Sequence, residues 1–247
     1  LLPFDKRAMG EETKAFRTMV LSERIRDKIF LMEEVINFPT SLLRHKNYHW
    51  ENLPMVPYSN LSGAVLSLAE KGRKVVIITG FYVPAGEPPA TETDGPPGAL
   101  ILAEGLKYMG MEVYLLSDEY TLPALEAGLE VLNLSKREIP LISFPIEHLD
   151  QNHISRMNNE ESTSPVSIHF VQNLFNGPLC KNLSHLIYIE RVGPNHTFES
   201  LIAQERSGSP PLKEFEVFLP PPMRNQCFNA RMEDITPFTA KTHFLLE

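Results

Sequence analysis

The run Lys74–Thr79, KVVIIT, constrains this chain more than any other stretch, because its centre is apolar without alternation. A strand that is apolar on both faces belongs inside a parallel sheet covered by helices, whereas a strand with one wet face alternates. Its surroundings agree. Ser62–Lys71 carries a helical stripe of Leu61, Val65, Leu66 and Leu68, with Gly72 placed to end it. After the strand come a helix over Gly98–Met109, a strand over Glu112–Ser117, a helix over Leu122–Leu129 and strands over Ile139–Phe144 and His185–Ile189. Strands separated by helices imply right-handed crossovers. The pattern predicts a three-layer α/β/α fold with a mostly parallel, doubly wound, Rossmann-like sheet. Upstream, Leu21–Phe38 reads as an amphipathic helix ended before Pro39, and Thr40–Tyr58 as irregular. Gln151–Ser164 and Arg206–Lys213 read as polar connections.

At 247 residues the chain is long enough for one full core, so one domain over 1–247 is the expectation. A net charge of -8 without a basic cluster argues against nucleic acid and against anionic membrane surfaces. No stretch approaches the roughly 20 apolar residues of a membrane-spanning helix. Two cysteines, Cys180 and Cys227, are too few for a disulfide framework and lack the partners of a zinc site. The oligomeric state is left open.

Directly after the first strand lies the loop Gly80–Gly98, GFYVPAGEPPATETDGPPG, which opens a helix. That is the usual address of a ligand in an α/β sheet. A phosphate loop would carry glycines and a lysine where this one carries Glu87, Glu92 and Asp94, so phosphate does not fit. The helix start would offer backbone N–H groups around Gly98 to an anion, and the carboxylates would suit a cation. A small zwitterion fits both. No G-x-G-x-x-G follows the strand, which disfavours a dinucleotide.

The segment ETDGPPGA with the following helix and the strand EVYLLSD resembles the D-glutamate cyclase C-terminal domain family. HLIYIERVGPN, His185–Asn195, and CFNARMEDIT, Cys227–Thr236, are similar to two further stretches of that family. The resemblance runs over about Thr40–Thr236 and implies a mitochondrial matrix enzyme that converts D-glutamate to 5-oxo-D-proline and water, a chemistry that requires no cofactor and no metal. It also implies substrate contacts at Thr91, Thr93, Gly95, Gly98, Arg191, Asn229 and Arg231. Relatives continue past the Asn-x-Arg-x-x-Asp segment into a Gly-rich element that is not evident before Glu247.

Cyclising glutamate requires its ammonium to lose protons and a γ-carboxyl oxygen to leave as water, which a pair of carboxyls can serve. Glu92 and Asp94 are the expected catalytic pair, since alternate residues of an extended loop point the same way; a helix cap is the competing role for Asp94. Arg191 and Arg231 offer planar forks for the substrate α-carboxylate, or else internal ion pairs as Glu190–Arg191 and Arg231–Asp234. His45 and His49 have helical metal spacing but no third ligand, and Cys180 has no setting that would activate it. The alternative to an enzyme is a non-catalytic domain that senses an acidic metabolite for a larger protein.

Overall fold

A computed structural model describes residues 22–36, 60–146, 165–203 and 210–246. The irregular reading of Thr40–Tyr58, the connection Gln151–Ser164, the first half of Arg206–Lys213, and both His45 and His49 fall outside them. The described residues group into two compact units, within Leu1–Gly72 and within Arg73–Glu247. The single domain expected over 1–247 spans both.

The first unit holds α1 (Glu23–Ile36) and α2 (Asn60–Lys71). Glu33 of α1 is buried, and its Oε1 accepts hydrogen bonds from the backbone N–H groups of Leu61 and Ser62 at 2.9 and 3.3 Å. A carboxylate there satisfies two of the donors that a helix start leaves open and complements its positive dipole end.

The second unit begins with β1 (Lys74–Gly80), followed by a small hairpin of β2 (Tyr82–Val83) and β3 (Ala90–Thr91). Then come α3 (Gly95–Tyr108), β4 (Glu112–Ser117), α4 (Leu122–Val131), β5 (Leu141–Ser143), α5 (Pro165–Asn176) and β6 (Leu183–Arg191). Short helices α6 (Phe198–Ala203) and α7 (Leu212–Phe218) and three 3₁₀ turns complete it. The main sheet has the order β5-β4-β1-β6, and every pairing in it is parallel. All four expected strands are present, flanked by helices in a three-layer α/β/α arrangement.

β1 is buried at all seven positions, as its composition demands. Side chains alternate across a strand, so Val76 and Ile78 pack on one face with Leu116, Phe144, Ala240 and Leu245, joined by Phe170, Val171 and Leu174 of α5. Val75 and Ile77 point to the other face, that of α3 and its buried Ala99, Ala103 and Leu106. Helix α5 has no counterpart in the sequence reading, which followed the polar stretch before it rather than its apolar i, i+3, i+4 positions.

Helix α3 starts three residues earlier than its sequence suggested. Asp94 is the N-cap, and the prolines at 96 and 97 occupy the first turn, where a missing N–H costs nothing and a fixed φ helps.

Candidate active site at the carboxyl edge of the sheet

The chain runs from β1 outward through β4 to β5, then returns to place β6 on the opposite side of β1. The order of the sheet thus reverses between β1 and β6, and the carboxyl ends of such neighbours are the usual ligand address in an open α/β sheet. Three carboxylates meet there. Glu92 and Asp94 come from the loop between β3 and α3, Glu190 comes from the end of β6, and one oxygen of each lies within 4.8 Å of the others. Glu92 is half-buried; Asp94 and Glu190 are exposed. Burial first, then the charges of Asp94 and Glu190, raise the Glu92 pKa above its ordinary value.

Local structure explains the convergence. The β1–β6 register pairs Thr79 with Ile189 and Gly80 with Arg191, so Glu190 is skipped as a bulge with φ of 44°. The bulge turns its side chain toward α3. Gly95 lets the two segments approach: a Cβ there would sit 2.7 Å from Glu190 Cβ and 2.9 Å from Thr79 Oγ1. On the loop side, Glu92 N–H donates to Phe81 O at 2.7 Å, while the Thr91 hydroxyl bonds Phe81 O and Thr121 Oγ1, each at 3.2 Å. Tyr82, Tyr120 and Phe238 brace the hairpin, with ring centroids 4.5 to 5.5 Å apart.

The expected anion site around Gly98 is not formed. Gly95 N–H donates to the Asp94 carboxylate at 3.1 Å, residues 96 and 97 are prolines, and Gly98 N–H donates to Asp94 O at 3.3 Å. Every donor of the first turn is thus absent or occupied. Asp94 both caps the helix and belongs to the cluster. A Cβ at Gly98 would meet only Ile189 Cγ2, at an ordinary contact distance of 3.9 Å, so no close approach requires this glycine. Thr93 and Glu92 line a largely apolar cavity of about 500 Å³ between α3 and α4, together with Thr91, Leu100 and Ile101. Glu87 lies in the hairpin connection, outside the cluster.

Arg191 faces inward. Its side chain is 1% exposed and pairs with Asp118, itself 2% exposed, at the end of β4. Nη1 also donates to Gly80 O at 3.0 Å and Nη2 to Ala240 O at 2.8 Å. The fork spans the end of β1 and ties it to the C-terminal segment; it does not present itself to a ligand. Of the two sequence alternatives the internal ion pair is the one that forms, with Asp118 in place of the neighbouring Glu190. Asn229 organises a turn: its Oδ1 accepts from the N–H groups of Arg231 and Glu233 at 2.9 and 3.0 Å, and its Nδ2 donates to Glu233 at 2.5 Å. Arg231 is exposed on that turn. Burial pushes the Cys227 thiol up to about 11 and also raises that of Cys180, so neither is an activated nucleophile.

The model of the family described as D-glutamate cyclase-like, C-terminal, matches residues 47–205. The chain belongs to that family. The matched span of this cyclase-like domain carries all three clustered carboxylates, whereas the turn with Asn229 and Arg231 lies beyond it. No curated protein and no solved structure matches the chain. Glu190 entered the sequence reading only as an ion-pair partner for Arg191, although it stands in one of the family-like stretches. Its position at a strand's carboxyl end was the available signal.

Proposed function

We propose that this domain closes D-glutamate to 5-oxo-D-proline with release of water. One observation carries the reading: two separate family-like stretches, at 91–98 and 185–195, deliver their acidic residues to one point at the switch of the sheet. In the reaction the amine nitrogen bonds to the γ-carbon and a γ-carboxyl oxygen departs. Two of the three ammonium protons leave with that oxygen as water. Glu92 and Asp94 accept and return these protons, and Glu190 adds negative charge that draws the ammonium into place. The step is intramolecular, so holding the chain in a bent, near-attack shape supplies much of the acceleration. The braced hairpin and the capped helix give the carboxylates fixed positions for that purpose.

The test is a product assay for 5-oxoproline on the full chain with D- and L-glutamate. Glu92→Gln and Asp94→Asn should each lower kcat by about 10²–10⁴-fold with little change in melting temperature. Asparagine keeps the capping acceptor of Asp94, so a purely structural role would leave the rate intact. Wild-type turnover by both variants would remove this cluster from the chemistry.

A further inference from the structure

The apolar cavity beside Glu92 has no part in the reaction proposed above, because D-glutamate is charged at both ends and brings nothing apolar to fill it. The cavity encloses about 500 Å³, with Leu100 and Ile101 of α3 on one side and Ala124, Gly128 and Val131 of α4 on the other. Volumes of this order take small organic ligands. Gly128 makes room for Leu100, whose Cδ1 stands where a Cβ of residue 128 would have to be, so the two helices meet there and the open volume lies beside the contact. Ile101 and Val131 are 66% and 80% exposed, which leaves large apolar side chains of the lining against water. Covering them is favourable. Among the described residues a single charged side chain lines this cavity, that of Glu92, and no lysine or arginine does. The Glu92 N–H and the Thr91 hydroxyl are already engaged by Phe81 O and Thr121. Among the described residues no hydrogen bond or ion pair engages the Glu92 carboxylate, which is half-buried with two further carboxylates close behind it. The guanidinium of Arg191 is spent on Asp118.

We infer that this cavity binds an amphiphilic amine, a small organic cation whose apolar body lies between α3 and α4 and whose ammonium pairs with the Glu92 carboxylate. Charge selects among the apolar ligands that would fit the volume. A fatty acid of the same shape would bring its carboxylate against Glu92, with Asp94 and Glu190 behind it, and be repelled. An ammonium instead donates to an acceptor that is already partly withdrawn from water, where a charge-assisted hydrogen bond is stronger than at an open surface. The inference goes beyond the cyclase reading and does not depend on it; the two have Glu92 in common.

The deciding measurement is calorimetry of the full chain with butylamine, hexylamine and octylamine, beside octanol and octanoate. One saturable amine site is expected, its affinity rising about fourfold for each methylene that the cavity buries. Octanoate should bind about tenfold or more weakly than octylamine. Glu92→Gln should weaken octylamine while sparing octanol, since only the amine uses the charge. Ala124→Leu places a branched side chain in the cavity and should weaken octylamine and octanol alike. Ile101→Ser, at an exposed position, should weaken both severalfold and still decides if melting curves show that Ala124→Leu does not fold. Absence of a saturable site, affinity indifferent to chain length, or octanoate bound as tightly as octylamine overturns the inference. So does a dimer, seen by sedimentation, that Val131→Asp dissolves and that binds no amine, because a second copy of the chain then covers this face. Octylamine bound by protein that does not turn over D-glutamate sustains the amine site and removes the cyclase reading, and turnover in protein that binds no octylamine does the reverse.

Discussion

Arg191→Met removes the guanidinium while keeping an unbranched side chain of similar reach. In the native fold that group joins the carboxyl ends of three neighbouring strands. It sits at the end of β6, pairs with Asp118 after β4, and donates to Gly80 O at the end of β1 and to Ala240 O beyond. The pair is 1% and 2% exposed, so removing one partner strands a buried carboxylate. Breaking a buried pair in this way costs about 3–5 kcal/mol, even though the intact pair contributes little net stability. The intact pair is imperfect here as well, since Arg191 Nε and Asp118 Oδ1 have no hydrogen-bond partner among the described residues. For a unit of this size the melting temperature should fall by about 6–20 °C, at 2–4 °C per kcal/mol. Thermal unfolding of the full chain, followed by near-ultraviolet circular dichroism, measures it. Replacing both partners, as Arg191→Met with Asp118→Leu, removes the stranded charge and should recover much of the loss. The contrary result is specific: a melting temperature within about 1–2 °C of wild type, together with weakened D-glutamate binding, would mean that the fork serves the substrate and that the buried pairing is not what holds it.

Three further outcomes follow from single positions. Gly80→Ala should destabilise the second unit by about 1–3 kcal/mol or more, because φ is 119° and the new Cβ would lie 2.4 Å from Thr121 Oγ1 and 2.6 Å from Ser117 Oγ; urea titration reads this, and an unchanged midpoint would refute it. Glu138 is held down to about 2 by the Ser135 N–H first, then by Lys107 and the Ser135 hydroxyl. Its folded pKa is below the ordinary 4.5, so its stabilisation is complete above about 4.5 and is lost as pH falls toward 2. Glu138→Gln should flatten that part of the acid-unfolding curve. Cys227, 4% exposed with its thiol pushed up to about 11, should react with a thiol reagent at pH 7.5 only at the rate of unfolding, and rapid labelling of it in native protein would contradict the packing.

The local pattern of the chain determined the parallel sheet and the place of the candidate site. An unbroken apolar β1 can only be covered on both faces, and helix-strand alternation leaves few topologies, so all four strands and the acidic loop were legible. Helix α5 was not, since its start follows a polar stretch and its apolar face acquires meaning only against β1 and β4. Two further matters were decided in three dimensions. Whether Arg191 meets a substrate or a buried Asp118 depends on which strand lies two places away in the sheet, and sequence distance says nothing of that: 73 residues separate the pair. The third member of the acidic cluster, Glu190, reaches Glu92 and Asp94 only because a bulge at the end of β6 and a glycine at the start of α3 bring two remote segments into contact. Periodicity records which face of an element is apolar. It carries no record of which strand ends become neighbours, and it is there that the charges of this site are brought together.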